Sequence, residues 1–311
     1  METDRLNLPN TCTFKIELLG HELQFAQDPN SKHLGTTVWD ASMVFAKFLE
    51  KNCRRGRFSR SKLLRKRVIE LGAGCGVAGF GMAILGCEVV ATDQKEVLSL
   101  LQRNLERNTS CIMQMNPGFS DSFGSVKVAE LDWGNEDHIQ AVGPPYDFII
   151  GTDVVYAEHL LEPLLDTIVA LSGPRTTIVL GYEIRSTNVH EQMLEMLKRK
   201  FDFKIVPKSK MDFRYQHPSI QLFILGLKPL PEGKSVKRIE GSLEFDELKE
   251  TESTSEGENN GSMNKLDDSG SCSLEADSSV LGGVPSGELS DWEVRRYGAM
   301  AARLLRDVKI T

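Results

Sequence analysis

The segment Val68–Gly79, which reads VIELGAGCGVAG, has the residue types of a loop that holds a nucleotide or nucleoside ligand. An apolar run leads into closely spaced glycines, and an apolar helical stretch follows them. Glycine lets the backbone turn sharply and approach a ligand closely, beside the free N–H groups of a helix N-terminus. Gly74, Gly76 and Gly79 fit G-x-G-x-x-G, the fingerprint of dinucleotide-binding enzymes, which is a weak signal when it stands alone.

The same loop also fits E-x-G-x-G-x-G, in which Glu70 precedes Gly72, Gly74 and Gly76. This second pattern resembles the first motif of class I S-adenosylmethionine-dependent methyltransferases. A carboxylate at Glu70 would attract the cationic amino-acid end of S-adenosylmethionine, whereas it would repel a pyrophosphate. The acidic residue therefore favours S-adenosyl-L-methionine as the cofactor over a nicotinamide dinucleotide.

Two further strand ends carry side chains suited to a nucleoside. Asp93 closes the run EVVATD, where its carboxylate can accept hydrogen bonds from both ribose hydroxyls. Asp132 and Trp133 follow the next run, VAELDW, so that an indole ring can lie against adenine and a carboxylate can accept from the adenine amino group. Two alternatives stay open: Asp93 as a cap of the helix that begins near Lys95, and Trp133 as a core residue.

The pair Asp153 and Tyr156 follows the fourth apolar run, in FIIGTDVVY. Methyltransferases that act on amide or aromatic-ring amines usually carry Asn/Asp-Pro-Pro-Tyr here, and this chain has Asp-Val-Val-Tyr. We expect Asp153 to orient an incoming amine or to hold the cationic end of the cofactor, and Tyr156 to wall the substrate channel. Glu183, after the fifth run, is a second acidic candidate for the site. The alternative, in which Glu183 is only an exposed carboxylate at the end of a strand, carries equal weight.

The motifs VWD, LDW and Asp-x-x-Tyr, taken with the glycine loop, are similar to those of the family-16 protein-lysine methyltransferases, and within them to the methyltransferase-like 21 group. The resemblance covers about residues 12–228. It implies a protein substrate that presents a lysine, such as a chaperone, an ATPase or a translation factor. By position, it implies cofactor contacts from Trp39, Gly72, Ala73, Gly74, Asp93, Trp133 and Thr152.

The chemistry that this resemblance implies is an in-line methyl transfer, which needs no metal and no covalent enzyme intermediate. The acceptor is a neutral lysine amine, held about 3–3.5 Å from the methyl carbon. A lysine has a pKa of about 10.4, so keeping it neutral at pH 7 costs about 4–5 kcal/mol. The site has to offset this cost by desolvating the amine and accepting its hydrogen bonds.

The elements that position these residues alternate between β-branched apolar runs and amphipathic stretches from Arg67 to Gly226. This alternation predicts an α/β fold, a doubly wound, mostly parallel seven-stranded sheet of the Rossmann-like methyltransferase type. The last two runs, near 203–206 and 220–225, have no helix between them and predict an antiparallel hairpin at one sheet edge. Ahead of the sheet, a β-hairpin turning at Gly20 and a helix over Trp39–Glu50 form an extension.

We therefore divide the chain into four parts: an N-terminal extension (1–66), the cofactor-binding domain (67–230), an acidic linker (231–290) and a C-terminal helix (291–311). The linker contains 14 acidic and 5 basic residues. Its composition cannot bury enough apolar area to offset the entropy of ordering, so we expect disorder. The final helix, which has a capping box at its start, docks on the domain or binds a partner.

Charge and cysteine usage exclude several classes of function. The linker's net charge of −9 accounts for the chain's −7, so the rest of the chain carries +2 and nucleic acid is not expected as a partner. The basic stretch 54–67 is read as a solvated loop, or else as a docking site for an acidic protein or RNA.

No cysteine spacing or His cluster indicates a metal. No signal peptide or apolar span is evident. We expect a monomer in the cytoplasm, with the nucleus as a second compartment.

The sequence thus predicts an S-adenosylmethionine-dependent protein-lysine N-methyltransferase. Two rivals stay open at this point. A nicotinamide-dependent oxidoreductase could use the same glycine loop, although no Tyr-x-x-x-Lys pair follows the strands. A non-catalytic scaffold could keep the cofactor fold and bind partners through its tail, although the glycines, Asp93 and the Asp-x-x-Tyr motif are intact.

Overall fold

The computed structural model describes residues 12–119 and 122–229. The chain opens with a hairpin of strands β1 (Cys12–Leu18) and β2 (His21–Gln27), which pair antiparallel around a turn at Leu19 and Gly20. Gly20 has a φ of 82°, a conformation that glycine adopts without steric cost. The predicted hairpin and its turn are confirmed.

One seven-stranded sheet contains the apolar runs of the sequence. Its strands are β3 (Arg67–Leu71), β4 (Glu88–Asp93), β5 (Ser125–Glu130), β6 (Tyr146–Thr152), β7 (Ser172–Glu183), β8 (Phe201–Ile205) and β9 (Ile220–Leu227). They lie in the order β5-β4-β3-β6-β7-β9-β8. Strands β3 to β7 are parallel, and β9 is antiparallel to both of its neighbours. The predicted fold class and the antiparallel edge hairpin are confirmed.

Helices cover both faces of this sheet, as its buried strands require. They are α1 (Asp40–Asn52), α2 (Arg60–Leu63), α3 (Val77–Ile84), α4 (Lys95–Met115), α5 (Glu136–Ala141), α6 (Leu161–Leu171) and α7 (Thr187–Lys200). On one face, Phe48 of α1 contacts Phe58, which contacts Phe148 of β6. On the other, residues of α5, α6 and α7 form one core cluster with alternate strand residues such as Ile149 and Leu180.

Two buried asparagines of α4 attach the N-terminal hairpin to the domain. Asn104 accepts a hydrogen bond from Ala26 N at 2.8 Å and donates one to Ala26 O at 2.9 Å. Asn108 likewise accepts a hydrogen bond from Gln24 N and donates one to Gln24 O, both at 2.9 Å. Each side-chain amide thus takes the place of a neighbouring strand at the free edge of β2. Asn104 also donates to Cys75 O at 3.1 Å, so the same helix joins the hairpin to the glycine loop.

The predicted acidic linker (231–290) and C-terminal helix (291–311) lie outside the described residues, and the boundaries at 66 and 230 stay predictions. Among the helices of the described ranges, none is long and apolar enough to cross a membrane. The basic stretch 54–67 is more ordered than a solvated loop: it contains α2, and Arg57 donates a hydrogen bond to Thr177 Oγ1 at 2.7 Å.

Candidate active site

A cavity of about 750 Å³ lies at the carboxyl ends of β3 to β6, where parallel α/β sheets bind their ligands. Its volume is within the range of about 300–1,000 Å³ that is common for cofactor pockets. Eleven of the twelve residues predicted for the site line it: Trp39, Gly72, Ala73, Gly74, Gly76, Asp93, Asp132, Trp133, Thr152, Asp153 and Tyr156.

The glycine loop packs so closely against neighbouring segments that no other residue fits at two of its positions. Gly74 has a φ of 57°, and a Cβ atom there would lie 2.9 Å from the backbone oxygen of Gly35. At Gly72, with a φ of 61°, a Cβ atom would lie 2.9 Å from Val154 and 3.3 Å from the Trp133 ring. Both glycines line the cavity together with Asp93 and Trp133, whose carboxylate and flat ring suit a nucleoside cofactor.

Glu70, which the sequence predicts as a cofactor contact, does not reach the cavity. Its side chain is fully buried beneath α3, where Oε2 accepts a hydrogen bond from Gly79 N at 3.0 Å. The expectation that this carboxylate faces the cationic end of the cofactor is wrong, because Glu70 lies within β3 and points into a face of the sheet. Burial raises the pKa of Glu70 to about 8.

Asp93 ends β4 with its carboxylate next to the glycine loop. Oδ2 accepts a hydrogen bond from Gly74 N at 2.8 Å, and Oδ1 accepts one from Gln94 N, also at 2.8 Å. Burial raises the pKa of Asp93, and these two hydrogen bonds oppose that rise. Asp93 lines the cavity, whereas the N-cap residue of α4 is Gln94, so Asp93 lies one position before the cap and is not the cap itself.

Trp133 and Asp132 form the wall contributed by the end of β5. Trp133 is half-buried and packs on the core cluster while one side faces the cavity, so it serves as both core and cavity residue. Asp132 Oδ1 accepts a hydrogen bond from Gln94 Nε2 at 3.3 Å. Glu130, Asp132 and His138 bring one ligand atom each within 4.8 Å of one another, but all three are only half-buried, which alone does not make a metal site.

Asp153 is held in an uncommon conformation at the end of β6. Its φ is 58°, in the left-handed region that aspartate tolerates better than most residues. Oδ1 accepts hydrogen bonds from Glu183 N at 3.0 Å and from Arg185 Nη1 at 2.9 Å. Oδ2 accepts a longer one, 3.4 Å, from Ala41 N in the first turn of α1. The positive N-terminal end of α1 thus faces this carboxylate.

Aromatic side chains border the same part of the cavity. The Trp39 ring donates from Nε1 to Leu34 O at 3.0 Å, and the Arg185 guanidinium carbon lies 4.9 Å from the centre of that ring. Tyr156 is 42% exposed, so it stands at the mouth rather than in the core. Burial of its inner part, with a smaller contribution from Asp93, raises the pKa of Tyr156.

The sequence is similar to known proteins of one class of enzyme. The family model described as lysine methyltransferase matches residues 18–200. The chain belongs to the lysine methyltransferase family. The protein N-lysine methyltransferase METTL21A of Danio rerio is 34% identical over 192 residues, 62% of this chain and 80% of that protein. The EEF1A lysine methyltransferase 3 of Mus musculus is 33% identical over 180 residues, 57% of this chain and 68% of that protein.

A more distant likeness links this lysine methyltransferase to a solved structure, the T. thermophilus 16S rRNA methyltransferase RsmC in complex with AdoMet and guanosine. It is 20% identical, with a TM-score of 0.48, and the match covers 70% of this chain and 51% of that chain. The family match confirms the predicted protein-lysine methyltransferase with S-adenosylmethionine as its cofactor, and with a protein as its substrate. It also decides against the nicotinamide-dependent oxidoreductase.

Two parts of the site of this lysine methyltransferase were missed in the sequence. The segment 32–38 lines the cavity opposite the glycine loop, and Arg185 lines it beside Asp153. Glu183 does not line the cavity: it is buried, with Oε2 3.0 Å from Arg185 Nη2. The only sequence signal for Arg185 was its place in GYEIRS, directly after the fifth strand.

Proposed function

We propose that this protein methylates a lysine that protrudes from the surface of another protein, of the class of translation factors, chaperones and ATPases. The observation that carries the proposal is the position of Asp153. Its side chain lines the same cavity as the glycine loop, to which we assign the cofactor, and as Tyr156, which is exposed at the mouth. The EEF1A lysine methyltransferase 3 of mouse, 33% identical, supports a translation factor first. We propose that the protein acts as a monomer in the cytoplasm and nucleus; the thiols of Cys53, Cys87 and Cys111, which are not joined in disulfides, are in keeping with a reducing compartment.

We assign the cofactor's nucleoside to the β4 and β5 ends of the cavity. The Asp93 carboxylate keeps lone pairs beyond its two backbone hydrogen bonds, and these can accept from the ribose hydroxyls. The Trp133 ring offers a flat face for adenine, and Asp132 an acceptor for the adenine amino group. Gly72 and Gly74 line the same cavity, and we assign the rest of the molecule to the stretch beside them.

S-adenosylmethionine, when bound, supplies a methyl group on a positively charged sulfur: the lysine nitrogen forms a bond to the methyl carbon, and the electron pair of the broken S–C bond stays on sulfur. The protein's part is to align the amine. Asp153 Oδ2 is the acceptor best placed for this, since within the described residues it accepts only the 3.4 Å bond from Ala41 N. A carboxylate there also stabilises the positive charge that develops on the nitrogen.

The walls of the channel remove water from the amine. Trp39 and Tyr156 flank the approach to Asp153, and the Asp153 side chain is only 2% exposed. An amine that reaches Asp153 therefore leaves bulk solvent, which favours its neutral form. The Tyr156 hydroxyl, whose pKa is raised, keeps its proton at neutral pH and does not act as the base. We infer that the lysine releases its proton to solvent before it enters.

Incubation with S-adenosylmethionine labelled in its methyl group tests this function. The full-length protein is added to a cell lysate, and labelled proteins are digested and mapped by mass spectrometry. We expect label on lysine side chains of one or a few proteins. Label on arginine, histidine or nucleic acid would contradict the proposal, as would labelling that persists with the Gly74→Val variant.

A further inference from the structure

The Arg185 side chain bridges two acidic residues beside the cavity. Its Nη1 atom lies 2.9 Å from Asp153 Oδ1, and its Nη2 atom lies 3.0 Å from Glu183 Oε2. The guanidinium also lies over the Trp39 ring, 4.9 Å from its centre. A planar guanidinium presents a fork of donors that matches this arrangement and stacks on aromatic faces. Arg185 is therefore fixed from three sides.

The two carboxylates on this arginine are shielded from solvent. The side chain of Asp153 is 2% exposed and that of Glu183 is 7% exposed. With Arg185 in place, the three side chains carry a net charge of −1 when both acids are ionised. Without it, two like charges would remain, and water would screen them poorly.

Glu183 is also anchored on the side away from Arg185. Its Oε1 atom accepts a hydrogen bond from Ser219 Oγ at 3.2 Å, and Ser219 Oγ lies 2.7 Å from His217 Nδ1. The backbone of Glu183 in turn donates to Asp153 at 3.0 Å. The two carboxylates are thus held near each other by contacts that do not involve Arg185, and they would stay there if Arg185 were replaced.

We propose that Arg185 is a positioning residue that neutralises one of these two negative charges, and so lets the substrate lysine enter as a neutral amine near neutral pH. The inference rests on the lysine site proposed above. Negative charges near an amine favour its ammonium form, which has no lone pair to accept a methyl group. One negative charge helps the nitrogen as it becomes positive, whereas two would hold the proton on it. Arg185 sets this balance.

Other titratable groups surround the cavity and act on the same amine. Lys32 and His33 come from the segment before α1, Asp93 and Asp132 from the ends of β4 and β5, and Tyr156 from the loop after β6. The buried Asp40 precedes Ala41 in the first turn of α1, and His217 of the β8–β9 loop contacts Glu183 through Ser219. His190 lines a small pocket together with Glu183 and Arg185. All of them are unchanged in an Arg185 variant, so a comparison of variants isolates the charge at 185.

The test is the pH dependence of turnover in Arg185→Met and Arg185→Lys. Methylation of the protein that takes up label in the lysate is followed at saturating S-adenosylmethionine from about pH 6 to about pH 10, the range in which a lysine titrates. We expect the rising limb of kcat to move up by about one to two pH units in Arg185→Met. At pH 7 its kcat should fall by about ten- to a hundred-fold, and it should recover at high pH. Arg185→Lys, which keeps the charge, should show no such shift.

Two controls separate charge from folding. Arg175→Met makes the same change at an exposed position near the other end of β7, and calorimetry of S-adenosylmethionine binding reports an intact cofactor site. Glu183→Gln removes a negative charge instead, so its rising limb should move to lower pH. This second variant decides the matter if Arg185→Met does not fold.

Three results would overturn the inference. An equal loss of kcat at every pH in Arg185→Met would mean that Arg185 only holds geometry. An unchanged profile in Arg185→Met and Glu183→Gln would mean that these charges do not reach the amine. If the wild-type protein labels no lysine at all, the proposed function fails, and this inference fails with it.

Discussion

The Glu70 carboxylate lies under the first turn of α3, with Oε2 3.0 Å from the backbone nitrogen of Gly79. A Cβ atom at position 79 would lie 2.2 Å from that oxygen, so glycine is required there by Glu70 and not by a ligand. The other oxygen, Oε1, has no hydrogen-bond partner in the part of the chain that the structure describes. Burial raises the pKa of Glu70 to about 8, so this group carries a proton at neutral pH.

Our first prediction concerns stability and pH at Glu70. The folded protein keeps the Glu70 proton up to about pH 8, whereas the unfolded chain releases it near 4.5. Between these values the folded state binds more protons, so the free energy of unfolding falls as pH rises. Glu70→Gln removes this dependence and keeps an oxygen for Gly79 N. In urea denaturation, the free energy of unfolding of Glu70→Gln relative to wild type should increase by up to about 1.4 kcal/mol for each unit by which the pH rises.

The control for this prediction is Glu88→Gln, the same change at the exposed start of β4. It should leave the slope of stability against pH as in wild type. The rise in the pKa of Asp93 acts in the same direction as that of Glu70, and Asp93 is present in all three proteins. The difference between Glu70→Gln and wild type therefore reports Glu70 together with its repulsion by Asp93. Parallel curves for Glu70→Gln and wild type would show that Glu70 is ionised in the folded protein.

The second prediction concerns cofactor binding at Gly74. Gly74→Val places a side chain against the Gly35 backbone oxygen, which lies 2.9 Å from where the new Cβ atom would be, so the glycine loop has to shift where it lines the cavity. We expect calorimetry to detect no binding of S-adenosylmethionine, while thermal unfolding stays cooperative. Gly118→Val is the matched control, because nothing lies within 4 Å of a Cβ atom there. Binding of S-adenosylmethionine to Gly74→Val at wild-type affinity would remove the glycine loop from the proposed site.

Much of the site could be predicted from the sequence because parallel strands all end at one edge of the sheet. Asp93 and Trp133 follow their apolar runs directly, so the position of each run placed the side chain at the crevice. Glu70 broke this reasoning, since it lies inside β3 and its side chain follows the alternation of the strand into a buried face. A motif match alone does not tell a residue that lines a cavity from one that supports the loop beneath it.

Arg185 could not be predicted because its partners come together only in the folded chain. Its pairing with Asp153 joins positions 32 residues apart, and the hydrogen bond from Ala41 to Asp153 spans 112 residues. Both depend on the left-handed backbone of Asp153 and on the packing of α1 against the sheet. Neither feature has a local signal in the sequence.

The third prediction separates two roles of Tyr156. If the ring only walls the channel, Tyr156→Phe should keep kcat within about threefold of wild type, because the hydroxyl is neutral at pH 7 in any case. Tyr156→Ala would admit water to the amine, and we expect the KM for the protein substrate to rise and kcat to fall by about tenfold. Leu64→Ala, at an exposed position, should change neither. A large loss of kcat in Tyr156→Phe would instead assign the hydroxyl a direct part in the reaction.

The fourth prediction concerns Asp153, whose carboxylate contacts Arg185 and the N-terminus of α1 and, in the proposed function, accepts the amine. Asp153→Asn keeps the shape of the side chain and an oxygen that accepts from Glu183 N. The amide nitrogen that replaces the other oxygen cannot accept a hydrogen bond from the substrate amine. We expect a loss of about 2–4 kcal/mol of transition-state stabilisation, roughly a thirty- to a thousand-fold lower kcat. Affinity for S-adenosylmethionine should fall much less, because Asp93, Trp133 and the glycine loop are unchanged.

The pH dependence of kcat in Asp153→Asn gives a second check, because the direction of its shift is also predicted. In wild type, kcat should rise with pH as the substrate lysine loses its proton. Removing a negative charge near that amine makes the proton easier to lose, so the rising limb should move to lower pH, opposite to Arg185→Met. Asp166→Asn, an exposed acid of α6 that pairs with Lys200, is the control and should behave as wild type. Wild-type turnover in Asp153→Asn would remove Asp153 from the reaction. A loss of cofactor affinity as large as the loss of turnover would place Asp153 in the cofactor site, because the carboxylate would then serve binding and not the amine.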